Sequence, residues 1–200
     1  MLLSLEISRI KMSKAVVIVT GGPGFGKTSV IERLSNLGFR VGSEIARELI
    51  EEQVKTGGVK LPWKDIQAFR EEVFVRRLSF LNSVTDDELA FSDRGIPDQL
   101  AFARYQGAAD PHVLVKNAEK YRYFPVVFLT SPWKEIYHQD SIRTETFEEA
   151  SRLHEFICQT YHDLGYQLID LPKTAPSDRA EFIKNYITKL NYETIKKTIF

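Results

Sequence analysis

Cysteine is almost absent from this 200-residue chain, in which Cys158 is the only one. One cysteine cannot form an internal disulfide, so the core alone must hold the fold. We therefore expect a reducing compartment, the cytoplasm. Cys158 falls within an apolar helical pattern and is predicted to pack in the core rather than to act as a nucleophile.

Net charge is absent as well, because 27 Lys and Arg residues balance 27 Asp and Glu residues. Without a global field we expect neither nucleic acid nor an anionic membrane as a partner, although a local basic pocket remains possible. No apolar run approaches the ~20 residues of a membrane span. The segment before Ala15 has Glu6 among its apolar residues and no cleavage motif, which argues against a signal peptide. Residues 1–14 are predicted to be an N-terminal extension of one domain, 15–200.

Apolar runs of strand length alternate along the chain with amphipathic segments of helix length. This alternation predicts an α/β fold with three layers, in which helices cover both faces of a mostly parallel five-stranded sheet. Ser43 is predicted to cap the second helix. The predicted strands are Ala15–Thr20, Phe39–Gly42, Leu89–Ser92, Val126–Leu129 and Tyr166–Leu171. The predicted helices are Lys27–Leu37, Glu44–Lys55, Asp65–Val84, Asp98–Tyr105, Pro111–Tyr121, Phe147–Leu164 and Asp178–Leu190.

A glycine-rich loop follows the most apolar strand, in the stretch "VVIVTGGPGFGKTS". Gly21-x-x-x-x-Gly26-Lys27-Thr28 is the P-loop pattern, placed between a strand and a helix as its mechanism requires. The alternative is an ordinary strand-to-helix turn. Backbone N–H groups would cradle the phosphates of ATP, Lys27 would reach the β- and γ-phosphates, and Thr28 would hold Mg²⁺. The Phe25 side chain is expected to point outward. The predicted nucleotide contacts are Gly22, Pro23, Gly24, Phe25, Gly26, Lys27, Thr28 and Ser29.

A P-loop identifies a nucleoside triphosphate but not the reaction. The Asp-x-x-Gly and Asn-Lys-x-Asp motifs of GTPase switches are both absent from the sequence. Motor-type ATPases place a Glu after the strand-end Asp, whereas here Arg94 follows Asp93. A small-molecule kinase needs a carboxylate for the acceptor hydroxyl, cations for the phosphoryl group and a lid, and the sequence offers all three.

Carboxylates and arginines follow two predicted strands at the edge where α/β sheets bind ligands. Asp93 is predicted to act on Mg²⁺ or on the acceptor hydroxyl; its alternative is an ion pair with Arg94. Glu44 and Arg47 are predicted to contact the acceptor; three residues apart on a helix, they could equally form a surface pair. Arg94 and Asp98 are further candidates for the acceptor site, although Asp98 could simply be an acid favoured by the helix dipole.

The lid is predicted in "TSPWKEIYHQDSIRTE", Thr130–Glu145, with Lys134, His138 and Arg143 as candidate phosphate contacts. Arg143 is the strongest, because a guanidinium spans two phosphate oxygens, though it could instead pair with Asp140. Trp63 could stack on an acceptor ring, but packing against the edge of the sheet is the favoured interpretation.

The motifs "TGGPGFGKTSVIERL", "GSEIARELIEE", "FSDRGIPDQLAFARY", "DSIRTE" and "LIDLP" resemble a family of predicted P-loop ATPases and kinases. That family has AAA-type ATPase-like domains and includes the ribosylnicotinamide kinase domain of a bacterial NAD regulator. The resemblance covers about residues 15–172. It implies a nucleoside-kinase-like fold with a helical lid, and it implies that the strand carrying Asp93 lies beside the P-loop strand.

Together these features predict a phosphotransferase that uses Mg-ATP and acts on a small molecule, nucleoside- or nucleotide-like. Lys27, Asp93, Arg143 and Glu44 are its candidate catalytic residues, and Thr28 and Asp93 its candidate metal ligands. Two alternatives stay open. One is an NTPase whose nucleotide state regulates a partner, and the other is a nucleotide-binding module without turnover.

Overall fold

Five parallel strands form one sheet in the computed structural model, which describes residues 15–85, 88–108, 111–139 and 145–190. The strand order is β2-β3-β1-β4-β5, and every neighbouring pair is parallel. The strand that carries Asp93 therefore lies beside the P-loop strand, as the resemblance implied. The strands are β1 (Val16–Gly21), β2 (Arg40–Gly42), β3 (Ala90–Asp93), β4 (Val126–Thr130) and β5 (Gln167–Asp170).

Seven helices connect or follow these strands in the described part of the chain. Their bounds agree with the sequence prediction to within two residues. Ser43 does not cap the second helix: Glu44 is its N-cap residue and no side chain donates or accepts there, so this prediction was wrong. The helices are α1 (Lys27–Asn36), α2 (Ile45–Thr56), α3 (Ile66–Ser83), α4 (Ile96–Tyr105), α5 (His112–Lys120), α6 (Phe147–Asp163) and α7 (Pro176–Lys189).

The two faces of the sheet carry separate apolar cores, so the molecule has three layers. Helices α1 and α7 cover one face, packing Leu34 and Ile183 against strand residues such as Val17. Helices α4 and α6 cover the other face, where Ile96 and Ile157 are fully buried. A third, smaller cluster joins α2 to α3 and makes these two helices a wall beside the carboxyl end of the sheet.

A buried carboxylate ties the two central strands to the helical layer. Asp98, in the first turn of α4, is fully buried and accepts the Thr20 hydroxyl at 2.6 Å and the Tyr161 hydroxyl at 2.6 Å. It also accepts the Gly95 N–H at 2.8 Å and pairs with Arg94 at 3.0 Å. Burial alone would raise the pKa of Asp98, but the two nearby guanidinium groups and the donated hydrogen bonds hold it below its ordinary value.

We predict that Tyr161→Phe lowers the free energy of unfolding by about 1.5–3 kcal/mol, because it removes a donor from a buried, charged acceptor. Urea unfolding followed by circular dichroism measures this change. Tyr186→Phe is the matched control, since the Tyr186 hydroxyl only accepts from Gln167 at 3.2 Å and is partly exposed. If both variants lose the same free energy of unfolding, the hydrogen bond to Asp98 contributes no more to stability than the partly exposed bond does.

Candidate active site

The loop between β1 and α1 has the backbone of a phosphate cradle. Gly24 and Gly26 have φ angles of 77° and 78°, in the left-handed region that side chains other than glycine rarely adopt. Gly26 is the N-cap of α1 and no side chain occupies the cap, so the first N–H groups of the helix are left for a ligand. A curled loop that opens a helix is an anion site by construction.

Lys27 closes this cradle from within. Its ammonium group donates to the Gly22 carbonyl oxygen at 2.7 Å, and the side chain is almost fully buried. The lysine charge is therefore held over the loop, at the place where a P-loop lysine meets the β- and γ-phosphates.

Phe25 points inward, contrary to the prediction that its side chain faces outward. It is 1% exposed and packs against the rings of Tyr137, Phe147 and His154 at centroid distances of 6.3, 5.9 and 6.1 Å. A methyl group on Gly22 would come within 2.4 Å of the Phe25 ring and of the Ala150 carbonyl oxygen. The loop thus rests on an aromatic seat made of these four rings. Burial lowers the pKa of His154 to about 4, so this seat is neutral at physiological pH.

Asp93 stands at the end of β3, opposite Val19 of the P-loop strand. It is 2% exposed, and neither carboxylate oxygen has a hydrogen-bond partner. Burial raises the pKa of Asp93 to about 6, with Lys27 opposing the rise and Glu44 adding to it. The alternative of an Asp93–Arg94 ion pair is not seen, because the Arg94 guanidinium turns to Asp98 instead.

Arg94 can turn away because of its backbone. Its φ angle is 68°, which makes it the non-glycine residue with positive φ among the described residues. Its N–H donates to the Val19 carbonyl at 3.0 Å, and its carbonyl accepts the Ser92 hydroxyl at 2.8 Å. The guanidinium then lies 5.1 Å from the Phe102 ring. The strained backbone of Arg94 therefore directs its own guanidinium away from the Asp93 side chain.

The residues at this edge suit magnesium. Mg²⁺ takes oxygen ligands and usually keeps several waters beside one or two carboxylates and the substrate phosphates. Asp93 offers two buried, unpartnered oxygens, and the Thr28 hydroxyl lies 3.4 Å from a Glu44 oxygen. The described residues contain no cluster of three or more His, Cys, Asp or Glu side chains that could hold a metal by themselves. A site completed by phosphates and water needs no such cluster.

Two cavities open at the carboxyl end of the sheet. The nucleotide cavity has a volume of about 520 Å³ and is lined by Gly24, Gly26, Lys27, Thr28 and Ser29 from the loop. The acceptor cavity has a volume of about 600 Å³ and lies between α2, α3 and α4. Glu44 and Arg47 line both. These two residues, predicted to contact the acceptor, therefore stand where the cavities meet, and Arg47 also pairs with Glu51 at 3.1 Å.

The walls of the acceptor cavity include four aromatic and four cationic side chains among apolar residues. Trp63 lines it and is 62% exposed, so the favoured interpretation that it packs against the sheet edge was wrong. Arg94 lines the cavity, and its predicted contact with the acceptor stays a prediction. Asp98 does not: it is fully buried and its partners are all protein groups, so the expected contact with substrate is replaced by the structural role described above. The remaining aromatic and cationic lining residues are Phe69, Arg70, Arg77, Phe102 and Tyr105.

Sequence reasoning missed several residues of the site. Arg179, in the first turn of α7, lines the nucleotide cavity, is buried, and lies 5.7 Å from the Trp133 ring. Glu145 lines the acceptor cavity with one buried carboxylate oxygen that has no partner. Arg77 and Gln99 are also buried there. Gln99 and Glu145 lie within quoted motifs but were not singled out, and Arg77 and Arg179 follow no motif. The folding of the chain brings all four to the cavities.

The predicted lid is described only in part. His138 is exposed and lines the nucleotide cavity, whereas Lys134 is exposed and lines neither cavity. Arg143 and Asp140 lie outside the described residues, and so do residues 1–14 and 191–200. The predictions made for them stay predictions.

We predict that Asp93→Asn stabilises the metal-free protein at pH 7.5, on the order of 2 kcal/mol. The folded-state pKa of about 6 lies above the ordinary 3.8, so the folded protein binds the Asp93 proton more tightly than the unfolded chain. Ionisation therefore costs stability as the pH rises through this range, and the gain from Asn should fade towards pH 4.5.

Thermal melts in EDTA at both pH values measure this effect. The exposed Asp178→Asn is the control and should change stability by less than about 0.5 kcal/mol at either pH. An Asp93→Asn protein that is less stable than the parent at pH 7.5 would mean that the protein stabilises the ionised carboxylate.

Comparison with known proteins places this geometry in a family. A protein-family model described as an AAA domain matches residues 16–179. No curated protein matches the sequence significantly. None of the described helices has the length and hydrophobicity needed to cross a bilayer.

Among solved structures, shikimate kinase from Acinetobacter baumannii, in complex with shikimate, shares 16% identity with a TM-score of 0.59, over 92% of this chain and 98% of that one. Deoxyadenosine kinase from M. mycoides with bound dATP shares 15% identity with a TM-score of 0.62. The match covers 86% of this chain and 99% of the kinase chain. At this identity the likeness concerns the fold, which is that of these P-loop kinases. Because the family model spans most of the sequence, the chain belongs to the AAA domain family.

Proposed function

We propose that this protein is a phosphotransferase that moves the γ-phosphoryl group of Mg-ATP to a hydroxyl group of a nucleoside- or nucleotide-like small molecule. The observation that carries the proposal is the pair of cavities that meet at Glu44 and Arg47. One cavity contains the P-loop and the other is a separate, partly apolar chamber large enough for a small molecule. A hydrolase needs only water as acceptor and has no use for the second chamber.

On the nucleotide side, the loop N–H groups and Lys27 hold the phosphates. Trp133 and Arg179 form the far wall of the same cavity and offer a flat surface for the base. His138 lies on the lid side. Enclosing the phosphates between loop and lid keeps water from the transferring group, which a kinase needs more than an NTPase does.

Thr28 and Asp93 would hold Mg²⁺, as the unpartnered oxygens of Asp93 suggest. The metal would neutralise the negative charge on the phosphates. Binding a cation beside Asp93 would also favour its ionised form, because an opposite charge lowers the pKa of a carboxylate.

The acceptor hydroxyl would lie near the junction of the cavities. Glu44 is the carboxylate that borders both of them, Glu145 lines the acceptor cavity, and Asp93 lies at the end of the neighbouring strand β3. Asp93 or Glu44 would take the hydroxyl proton, and Arg47 would contact the phosphoryl group.

The NTPase alternative receives less support from the geometry. Arg94 stands where a motor-type ATPase would have a water-activating Glu, and its guanidinium is engaged with Asp98 at 3.0 Å. The two kinases whose fold this chain shares are named for small-molecule acceptors, shikimate and deoxyadenosine. This likeness supports an acceptor of that size.

We predict ADP release from Mg-ATP that is stimulated by one class of acceptor in a screen of nucleosides, nucleotides, sugars and water alone. Lys27→Ala should abolish the release and the nucleotide-induced rise in melting temperature, because the charge over the phosphates is lost. Release that needs no acceptor would assign the protein to the NTPases. A melting shift without any release would leave a binding module.

We also predict that Asp93→Asn keeps ATP affinity within about tenfold but slows phosphoryl transfer by roughly a hundredfold or more, the usual scale for a positioned acid–base group. Single-turnover transfer and equilibrium binding on the same preparation separate the two effects. Asp163→Asn, an exposed change on α6, is the control and should leave both unchanged. Transfer at the parental rate in Asp93→Asn would shift the role of base to Glu44.

A further inference from the structure

Buried polar atoms without a hydrogen-bond partner are concentrated at this site. Among the described residues, seven such side-chain atoms occur, and six belong to Asp93 or to residues that line one of the two cavities. The exception is Nδ1 of His154. Because an unpartnered buried polar group lowers stability, several such groups in one region indicate a site whose hydrogen bonds are completed by a ligand.

Two of these atoms belong to Arg77 on α3 and Gln99 on α4, which both line the acceptor cavity. Arg77 is 5% exposed and its Nε–H donates to nothing, while Gln99 is 7% exposed and its Oε1 accepts from nothing. Together with the Glu145 carboxylate oxygen, the residues that line this cavity therefore carry one donor and two acceptors without a partner.

Both groups are held in place by hydrogen bonds from their other atoms. Arg77 Nη1 donates to the Gly95 carbonyl at 2.9 Å, and Gln99 Nε2 donates to the Arg70 carbonyl at 2.7 Å. The second bond fixes the orientation of the amide, so that Oε1 is the atom left over. The anchoring carbonyl groups belong to Gly95, directly before α4, and to Arg70 on α3, so each side chain is tied to the neighbouring helix or to its N-cap.

An unpartnered donor and an unpartnered acceptor favour a ligand that carries both an acceptor and a donor on one edge. A carboxylate or phosphate offers only acceptors and would place its negative charge against Gln99 Oε1. An amide or amidine edge of a heterocycle has an acceptor beside a donor and satisfies both protein groups. The aromatic side chains of Trp63 and Phe69 on the same cavity suit the faces of a flat ring.

We propose that Arg77 and Gln99 recognise the acceptor by the amide or amidine edge of a planar heterocycle, with Arg77 Nε–H donating to its acceptor atom and Gln99 Oε1 accepting from its N–H. The inference rests on the proposed function, since it takes the larger cavity to be the acceptor site. The part of the acceptor that is recognised is then the hydrogen-bonding edge of its ring. Specificity lies with Arg77 and Gln99, which belong neither to the P-loop nor to the carboxylates at the strand ends.

The test compares ligands that differ only at this edge. Inosine carries an amide edge and adenosine an amidine edge, whereas purine riboside has the same ring and sugar with neither. Binding to the parent protein is measured calorimetrically with a non-hydrolysable ATP analogue and Mg²⁺ saturating the nucleotide cavity. Inosine or adenosine should bind at least about tenfold more tightly than purine riboside, since the analogue has a ring acceptor for Arg77 but no N–H at this edge and leaves Gln99 Oε1 unpaired. Which of them binds distinguishes the amide from the amidine.

Gln99→Met should reduce this preference to within about twofold, because it removes the acceptor and keeps the size of the side chain. Gln67→Met is the matched control: Gln67 is exposed on α3, lines neither cavity, and should leave the preference unchanged. The preference of the parent needs no variant to fold, so it decides the matter if Gln99→Met is unstable.

Equal binding of all three nucleosides, or no binding of any, would overturn the inference, and so would equal effects of the two Met variants. Because binding is measured without chemistry, the proposed function is judged separately. Preferential binding with no phosphoryl transfer to any acceptor would reject the kinase and leave edge recognition standing.

Discussion

The Asp98 carboxylate is the interaction on which the geometry of the site depends. Its four donors come from the end of β1, from the turn after β3 and from α6. The P-loop begins one residue after Thr20, and Asp93 precedes the Arg94–Gly95 turn directly. One buried anion therefore fixes the loop strand and the carboxylate strand relative to each other, and a shift in either would break hydrogen bonds in a low-dielectric interior.

The same interaction explains why Asp93 is left without a partner. The nearest cation in sequence is Arg94, and a normal backbone there would leave it free to pair with its neighbour. The left-handed conformation of Arg94 and the attraction of Asp98 take the guanidinium elsewhere. Strain of this kind persists where the surrounding contacts over-determine it, and it occurs most often at functional sites. The structure therefore stabilises the ionised Asp98 carboxylate with four donors and leaves the Asp93 carboxylate without any.

Much of this arrangement could be predicted from the sequence. The strands, the helices, the P-loop and the position of Asp93 follow from apolar runs, glycines and spacing, which are local signals. The inward Phe25 could not be predicted, because its seat comes from Phe147 and His154, more than a hundred residues later. The burial of Asp98 could not be predicted for a similar reason. An acidic residue in the first turn of a helix has the same sequence pattern whether its partners are water or Thr20.

Residues of the cavities were the hardest to predict. Arg77 and Gln99 sit within ordinary amphipathic helices, where an arginine or glutamine is usually on the solvent side. Only the packing of α3 against α4 buries them. Trp63 shows the opposite case, in which an apolar residue remains exposed because it borders a chamber. Sequence periodicity reports which side of a helix is covered, but not whether a neighbouring helix or a ligand covers it.

The shared lining of the two cavities has a thermodynamic consequence. Glu44 and Arg47 belong to the start of α2 and line both cavities, so this one short segment would contact an occupant of either one. Any occupant that changes the conformational freedom of the segment changes the affinity of the other chamber. Linkage requires this coupling to be reciprocal and equal in free energy in the two directions. If both cavities bind ligands, the first turn of α2 is the segment that would couple the two affinities.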